Sequence, residues 1–474
     1  MSVRLFVGPR LFVSLLLASA GWLLPVASAR ANGAFPDSLN IVTPDSLPDD
    51  IFLATNFGLV TSIDDGQTWT YACEQTQNNF ATLYQAGPPP TNRIFATSLA
   101  GFIYTDDQSC SWSVGGGAAS GTTVSDLFPD PTNANRVLAV VAIAVDAGIS
   151  YQVLQSSDGG ATFAAQPLYT AAGGDDISGV EISRSSPTTI YLTLTSGTTH
   201  APKIAQSTNN GTSWQLHDLT THLPPGTNFI RLIAVDPTNP QKVFLRIRSP
   251  GDGGTMEGVA VTTDGGTTAS TPLSFPGGIL SAFTRMASGT IVLGGVVGTT
   301  NVAYTSTDDG VTFQPINTPQ PSFRALSSRG SSLFVVADNA ADGYAVGIST
   351  DVGKTWTPIM AYEDIQAITT CLQTYCQTDC MTRAGAGQWA LAICSATAMP
   401  LPVDAGADAG PIIVVHDAGA AGHGGGGTTG AGNTTGGKSS NGCHCATAPA
   451  GRPNWPALAG LGLALALVVA RRRR

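Results

Sequence analysis

One pattern of alternate residues, repeated seven times, constrains this chain more than any other feature. A Ser or Thr is followed at two-residue steps by Asp, Gly and Thr or Ser, and an aromatic residue comes directly after. The fullest copy is Ser349, Asp351, Gly353, Thr355 and Trp356; weaker copies occupy residues 62–69, 105–112, 156–163, 207–214, 262–269 and 306–313. Their third positions are Asp64, Asp107, Asp158, Asn209, Asp264, Asp308 and Asp351, spaced 43 to 55 residues apart. Units of that length with strand-like flanks mark a propeller or array, one small sheet per repeat.

Each residue of the pattern has a mechanical task. The Asp carboxylate accepts from backbone N–H groups of its own turn. The Gly allows positive φ where the chain reverses. The Thr hydroxyl ties down the start of the next strand, and the aromatic ring buries itself beside the hairpin. Seven copies argue for a structural staple, since a catalytic or metal site used once needs only one constellation. The pattern resembles the Asp-box, or BNR repeat, of sialidases, sortilins and secreted propellers. That resemblance implies an all-β fold: a seven-bladed β-propeller of four-stranded antiparallel blades over residues 32–363.

The fourth repeat shows the unit best, with strands expected at 177–183, 190–195, 203–208 and 213–219. Pro turns lie between the first and second strands of several units, at Asp130-Pro131, Ser186-Pro187 and Asp236-Pro237. Four antiparallel strands place those turns and the seven repeats at one end of the ring. The uneven loops 115–123, 170–176, 196–201, 220–228 and 250–256 then share the opposite face, where propeller function usually resides. Ring closure has several readings: residues 39–43 as the first strand of blade one, or residues 365–371 completing that blade or starting an eighth.

Charged residues are only 11% of the chain and the net charge is −10, which argues against a nucleic-acid partner. Residues 1–29 read as a signal peptide: Arg4 and Arg10, an apolar run at 11–24, then Ala27-Ser28-Ala29. In an exported protein an even number of cysteines reads as disulfides. Cys73 follows the first repeat and Cys110 lies in the second, so a bridge between neighbouring blades is expected, closing a short loop. Cys371, Cys376, Cys380 and Cys394 form a stapled end-piece over 364–398, with three connectivities open and a strand expected near 389–393. Residues 399–442 are rich in Gly, Ala and Thr and read as a disordered linker.

The last 32 residues carry Cys443 and Cys445, Trp455-Pro456, an apolar run at 457–470 and four arginines. Fourteen apolar residues make a short helix of about 21 Å, less than a bilayer core of about 30 Å. This tail resembles the myxobacterial C-terminal sorting signal (MYXO-CTERM). The resemblance implies a sorting protease, membrane association through the tail and retention at the cell surface, with Cys443 or Cys445 as the processing site.

Catalysis finds little support in the residues. A sialidase-like site needs converging arginines and usually carries an Arg-Ile-Pro near the first blade, and no such tripeptide occurs. Arg231, Arg246, Arg285 and Arg324 are scattered. Glycan hydrolysis needs paired carboxylates; Asp175 with Asp176, and Asp252 with Glu257, are the pairs on the loop face. His200 and His222 lack a third ligand at metal spacing. No phosphate or dinucleotide motif stands in usable context, so no cofactor is implied. The expected function is a surface-displayed, non-enzymatic binding or scaffold propeller for a polysaccharide or protein. The competing reading is an extracellular glycan-active enzyme with carboxylates at the channel mouth.

Overall fold

Runs such as Ile51–Thr55 and Gly58–Ser62 are buried at every position. A strand covered on both faces has no polar side to keep wet, so its sequence reads as continuously apolar instead of alternating. Alternation survives instead in where the side chains go. In Val137–Val145, Val137, Ala139 and Val141 pack with Phe95 and Phe102 of the preceding sheet. Leu138 and Val140 pack with Ile177 and Leu192 of the following one. The core is therefore a series of layers between sheets.

The computed structural model describes residues 36–395, apart from 78–80, 99–100, 147 and 252–253. The signal peptide, the linker and the tail with Cys443 and Cys445 lie outside the described residues. Seven antiparallel sheets follow in chain order, making a seven-bladed β-propeller of four-stranded blades. The inner strands are Ser38–Val42, Ala81–Ala86, Thr123–Pro129, Asp176–Ile182, Phe229–Val235, Gly278–Arg285 and Ala325–Arg329. The first packs against the last, which closes the ring. Outer strands are short: two residues in blades 2, 3 and 6, and four in blades 1, 4 and 7. Blade 5 is the exception, with the seven residues Ser270–Pro276.

All of blade 1's four strands come from the N-terminal side, so Ser38–Val42 is its inner strand. The C-terminal segment neither replaces that strand nor starts an eighth blade. Ala367–Ile368 instead adds in parallel to the outer strand Thr70–Cys73, pairing with Thr70 and Tyr71.

The disulfides correct the expected pairing. Cys73 bonds to Cys376, Cys110 to Cys371, and Cys380 to Cys394. Cys73 and Cys110 are not bridged to each other, because the returning chain lies along the rims of blades 1 and 2 and offers each a nearer partner. The long bridges span 303 and 261 residues. Chain entropy assigns the first about 5–6 kcal/mol, and the second adds less once that loop is closed.

The end-piece is helical, with no strand at 389–393. Gln373–Gly385 is an α-helix that buries Cys376 and Cys380, and Leu391–Cys394 is a 3₁₀ turn. Trp389 packs 5.0 Å from the Tyr71 ring and 5.7 Å from that of Phe57, centroid to centroid. Asp379 accepts hydrogen bonds from the Tyr71 hydroxyl and from Arg383 Nε, the latter at 2.8 Å.

Candidate functional site

All seven repeats fold as turns between the third and fourth strands of their blades, and they share one hydrogen-bond scheme. In the last copy Ser349 Oγ accepts from Gly353 N at 2.9 Å and donates to Asp351 Oδ1 at 2.8 Å. Thr355 N donates to the same oxygen at 2.9 Å. The final hydroxyl donates to the other carboxylate oxygen at 2.6 Å in all six acidic copies. In the fourth copy Asn209 Nδ2 donates to Ser213 Oγ instead, at 2.8 Å. The Thr312 hydroxyl and amide hold the Asp308 carboxyl down at about 2, and those of Thr355 do the same for Asp351.

Two consecutive residues of each turn have positive φ, the one after the acid and the one at the Gly position. At the second, Ser109 (φ 75°) stands where the other copies have Gly. The carboxylates are thus saturated by their own turns. Among the described residues no three His, Cys, Asp or Glu side chains gather to hold a metal.

On this same face the structure reveals basic staples that the sequence reading passed over. Arg93 reaches the carbonyl of Gly159 in the next blade's turn. Lys242 pairs with Asp309 at 2.6 Å, and Arg329 with Asp65. Arg93 and Lys242 each immediately precede a second strand, a positional signal present in the sequence.

The opposite face carries the ends of the second-to-third hairpins and the entries to the inner strands. The acids singled out there are already engaged. Asp175 accepts from Lys203 Nζ at 2.7 Å and from Gly197 N at 3.2 Å. Burial raises the Asp176 carboxyl above its ordinary range, opposed by a hydrogen bond from Tyr151. Glu257 is 1% exposed and receives Arg246, Arg248 and the amide of Leu280; Asp252 lies outside the described residues. His200 and His222 are exposed. The arginines do not converge on one point: Arg231 faces Asp126, Arg246 faces Glu257, and Arg285 faces Asp236 and Asp309. Arg324 lies between Asp37 and Asp338.

Two further carboxylates sit on inner strands. Asp126 accepts from Val180 N at 2.9 Å, and Glu181 accepts from Val235 N at 2.8 Å. Each thus satisfies an amide on the inner strand of the next blade, where the ladder shifts register at 177/179 and 232/234. Burial pushes Asp126 up to about 6, against the pull of Arg231 and the Val180 amide. Burial likewise pushes Glu181 up to about 8, with the Val235 amide opposing and Asp126 adding to the rise.

A cleft of about 550 Å³ opens on the face opposite the turns, where blade 7, blade 1 and the end-piece meet. Asp37 and Asn56 line it from blade 1, and Arg324 and Asp338 from blade 7; Gln388 comes from the end-piece. Arg324 bridges the blades, 3.2 Å from Asp37 and 2.9 Å from Asp338.

No protein-family model matches the chain, and no curated protein matches it. Solved structures do. The chain is similar to the GH74 xyloglucanase from Xanthomonas campestris, with 15% identity and a TM-score of 0.42 over 59% of this chain and 45% of that one. For the Niastella koreensis GH74 enzyme the identity is 18% and the TM-score 0.43, with the same coverages. A puromycin-hydrolyzing peptidase from Mycobacterium tuberculosis gives 11% and 0.49, covering 72% of this chain and 55% of that one. The chain spans less than half the length of either GH74 enzyme. With identities of 11–18% and TM-scores below 0.5, these likenesses assign no activity to this chain.

Proposed function

We propose that this protein is a non-enzymatic binding or scaffold propeller, displayed at the cell surface, that engages a polysaccharide or protein. The contact surface is the face opposite the seven turns. One observation carries this reading: Glu257 and Asp175, one from each carboxylate pair considered for hydrolysis on that face, are held by internal partners. Glu257 is clamped by two arginines and an amide, and Asp175 by a lysine and an amide. A general acid or base must be free to meet the substrate's proton. The signal-peptide and sorting-tail resemblances in the sequence support export and display.

A glycan-active reading has one specific observation in its favour, the pair Asp126 and Glu181 with Arg231 beside the first. Burial raises both carboxyls toward neutrality, the range in which acid–base groups work. Each also holds a backbone amide of the next blade, which is sufficient reason for its position. The test is a glycan-array and pull-down screen with the exported protein, followed by mass spectrometry of any glycan it retains. Saturable binding with the glycan recovered intact is expected; shortened chains that disappear in Glu181→Gln would replace the binding reading with the enzymatic one.

A further inference from the structure

We infer that the cleft between the first and last blades binds a cationic, hydroxyl-rich unit, an amino sugar of a polysaccharide being the chemical class it fits. The inference rests on the binding reading above and gives it a place. Three carboxylates, Asp37, Asp338 and Glu363, line the cleft with one guanidinium, that of Arg324. Arg324 sits between Asp37 and Asp338 and offsets one of them, so the cleft keeps an excess of negative charge. Glu363 is exposed and forms no salt bridge with the described residues. A partly enclosed site with uncompensated carboxylates attracts a cation and gives charge-assisted hydrogen bonds.

The carboxylates do not converge as metal ligands would, which leaves an organic cation. Amide side chains complete the lining. Gln388 Nε2 has no hydrogen-bond partner among the described residues, so turning that nitrogen toward a ligand forfeits no bond with them. Amides beside carboxylates present donors and acceptors at short intervals, which suits adjacent hydroxyl groups more than the bare stem of a lysine. The volume lies within the range of small-ligand sites.

The experiment is calorimetric titration of the exported full chain with glucosamine oligomers, their N-acetylated counterparts, neutral cello-oligomers and a lysine-rich peptide. Glucosamine oligomers are expected to bind at least tenfold more tightly than the other three, and less tightly as salt is raised. Glu363→Gln should weaken that binding about tenfold without moving the melting temperature, since the side chain is exposed and forms no ion pair with the described residues. Asp338 is unsuited to this purpose because it caps the helical turn Asn339–Asp342. Equal binding of the acetylated, neutral or peptide probe overturns the inference, as does Glu363→Gln with unchanged affinity. A glycan or protein captured by the ring in the screen above, and unaffected by Glu363→Gln, sinks this inference and keeps the binding reading. A ring that retains no ligand at all sinks both.

Discussion

Arg329, at the end of the last inner strand, donates from Nη1 to the backbone carbonyl of Asp50 in the first blade, at 2.8 Å. Its other nitrogen pairs with Asp65 in the first blade's turn. On the turn face, one side chain of the last blade thus touches both the turn after the first strand and the turn after the third strand of blade 1. Arg329→Met keeps an apolar stem but loses both polar contacts and the guanidinium that lies 5.2 Å from the centre of the Phe334 ring. It should lower unfolding stability by about 1–3 kcal/mol, read as a fall in the denaturant midpoint with an unchanged slope.

The disulfides make a covalent prediction. Non-reducing peptide mapping should recover Cys73 with Cys376, Cys110 with Cys371, and Cys380 with Cys394. The double variant Cys110→Ser with Cys371→Ser should cost about 2–4 kcal/mol. A peptide joining Cys73 to Cys110 would refute the rim-clamp geometry.

Ser109 carries a Cβ at a φ of 75°, and its buried hydroxyl has no hydrogen-bond partner among the described residues. Ser109→Gly removes both penalties at a position where six sister turns already use Gly. A gain of about 1 kcal/mol is expected by thermal or chemical denaturation.

Asn209 is the odd member of the seven turns, and Asn209→Asp should restore the charge-assisted bond to the Ser213 hydroxyl. Asp308 and Asp351 show the sign of the pH dependence, each held at about 2 against an ordinary value near 4. A depressed carboxyl stabilises above its unfolded value, and that contribution is lost as pH falls through the folded one. The gain from Asn209→Asp should therefore be full at pH 5 and gone by about pH 2, measured as a difference in melting temperature.

Glu181 has the opposite sign. With its carboxyl pushed up to about 8, the folded ring binds a proton that the unfolded chain releases near 4.3. Stability should fall as pH rises from about 5 to 9. Glu181→Gln keeps an acceptor for Val235 N while removing the ionisation, so its melting temperature should be flatter over that window. A parallel decline in both proteins would contradict the assignment.

The parts of the fold that were legible in the sequence are those fixed by local demands. A turn that needs positive φ, with an acid or amide four residues before a hydroxyl, announces itself at every copy, and a Pro turn marks several of the units. The fourth repeat shows this well: strands expected at 190–195 and 203–208 lie at Ile190–Thr195 and Pro202–Ser207. What the sequence concealed depends on where distant segments meet. The partner of Cys73 is set by the return of the chain to blade 1, which no local signal encodes. Residues 389–393 are apolar enough to suggest a strand, but Trp389 turns inward onto Tyr71 and the backbone coils as 3₁₀. A helical signal was nevertheless present: Leu372, Cys376 and Cys380 recur every four residues and are all buried. The committed state of Glu257 could not be read, because Arg246 and Arg248 reach it only across a paired strand.

The unequal outer strands bear on how copies of this ring tolerate crowding. A free sheet margin invites a neighbour's backbone to extend the ladder, and long margins invite it most. Most blades present only two to four residues there. Blade 5 presents seven, but Pro272 and Pro276 delete two donors from that row, so an incoming strand would meet gaps. Blade 1 is shielded differently, since Ala367–Ile368 already occupies the place an intruder would take. The same segment that locks the circle therefore also keeps one circle from zipping onto the next.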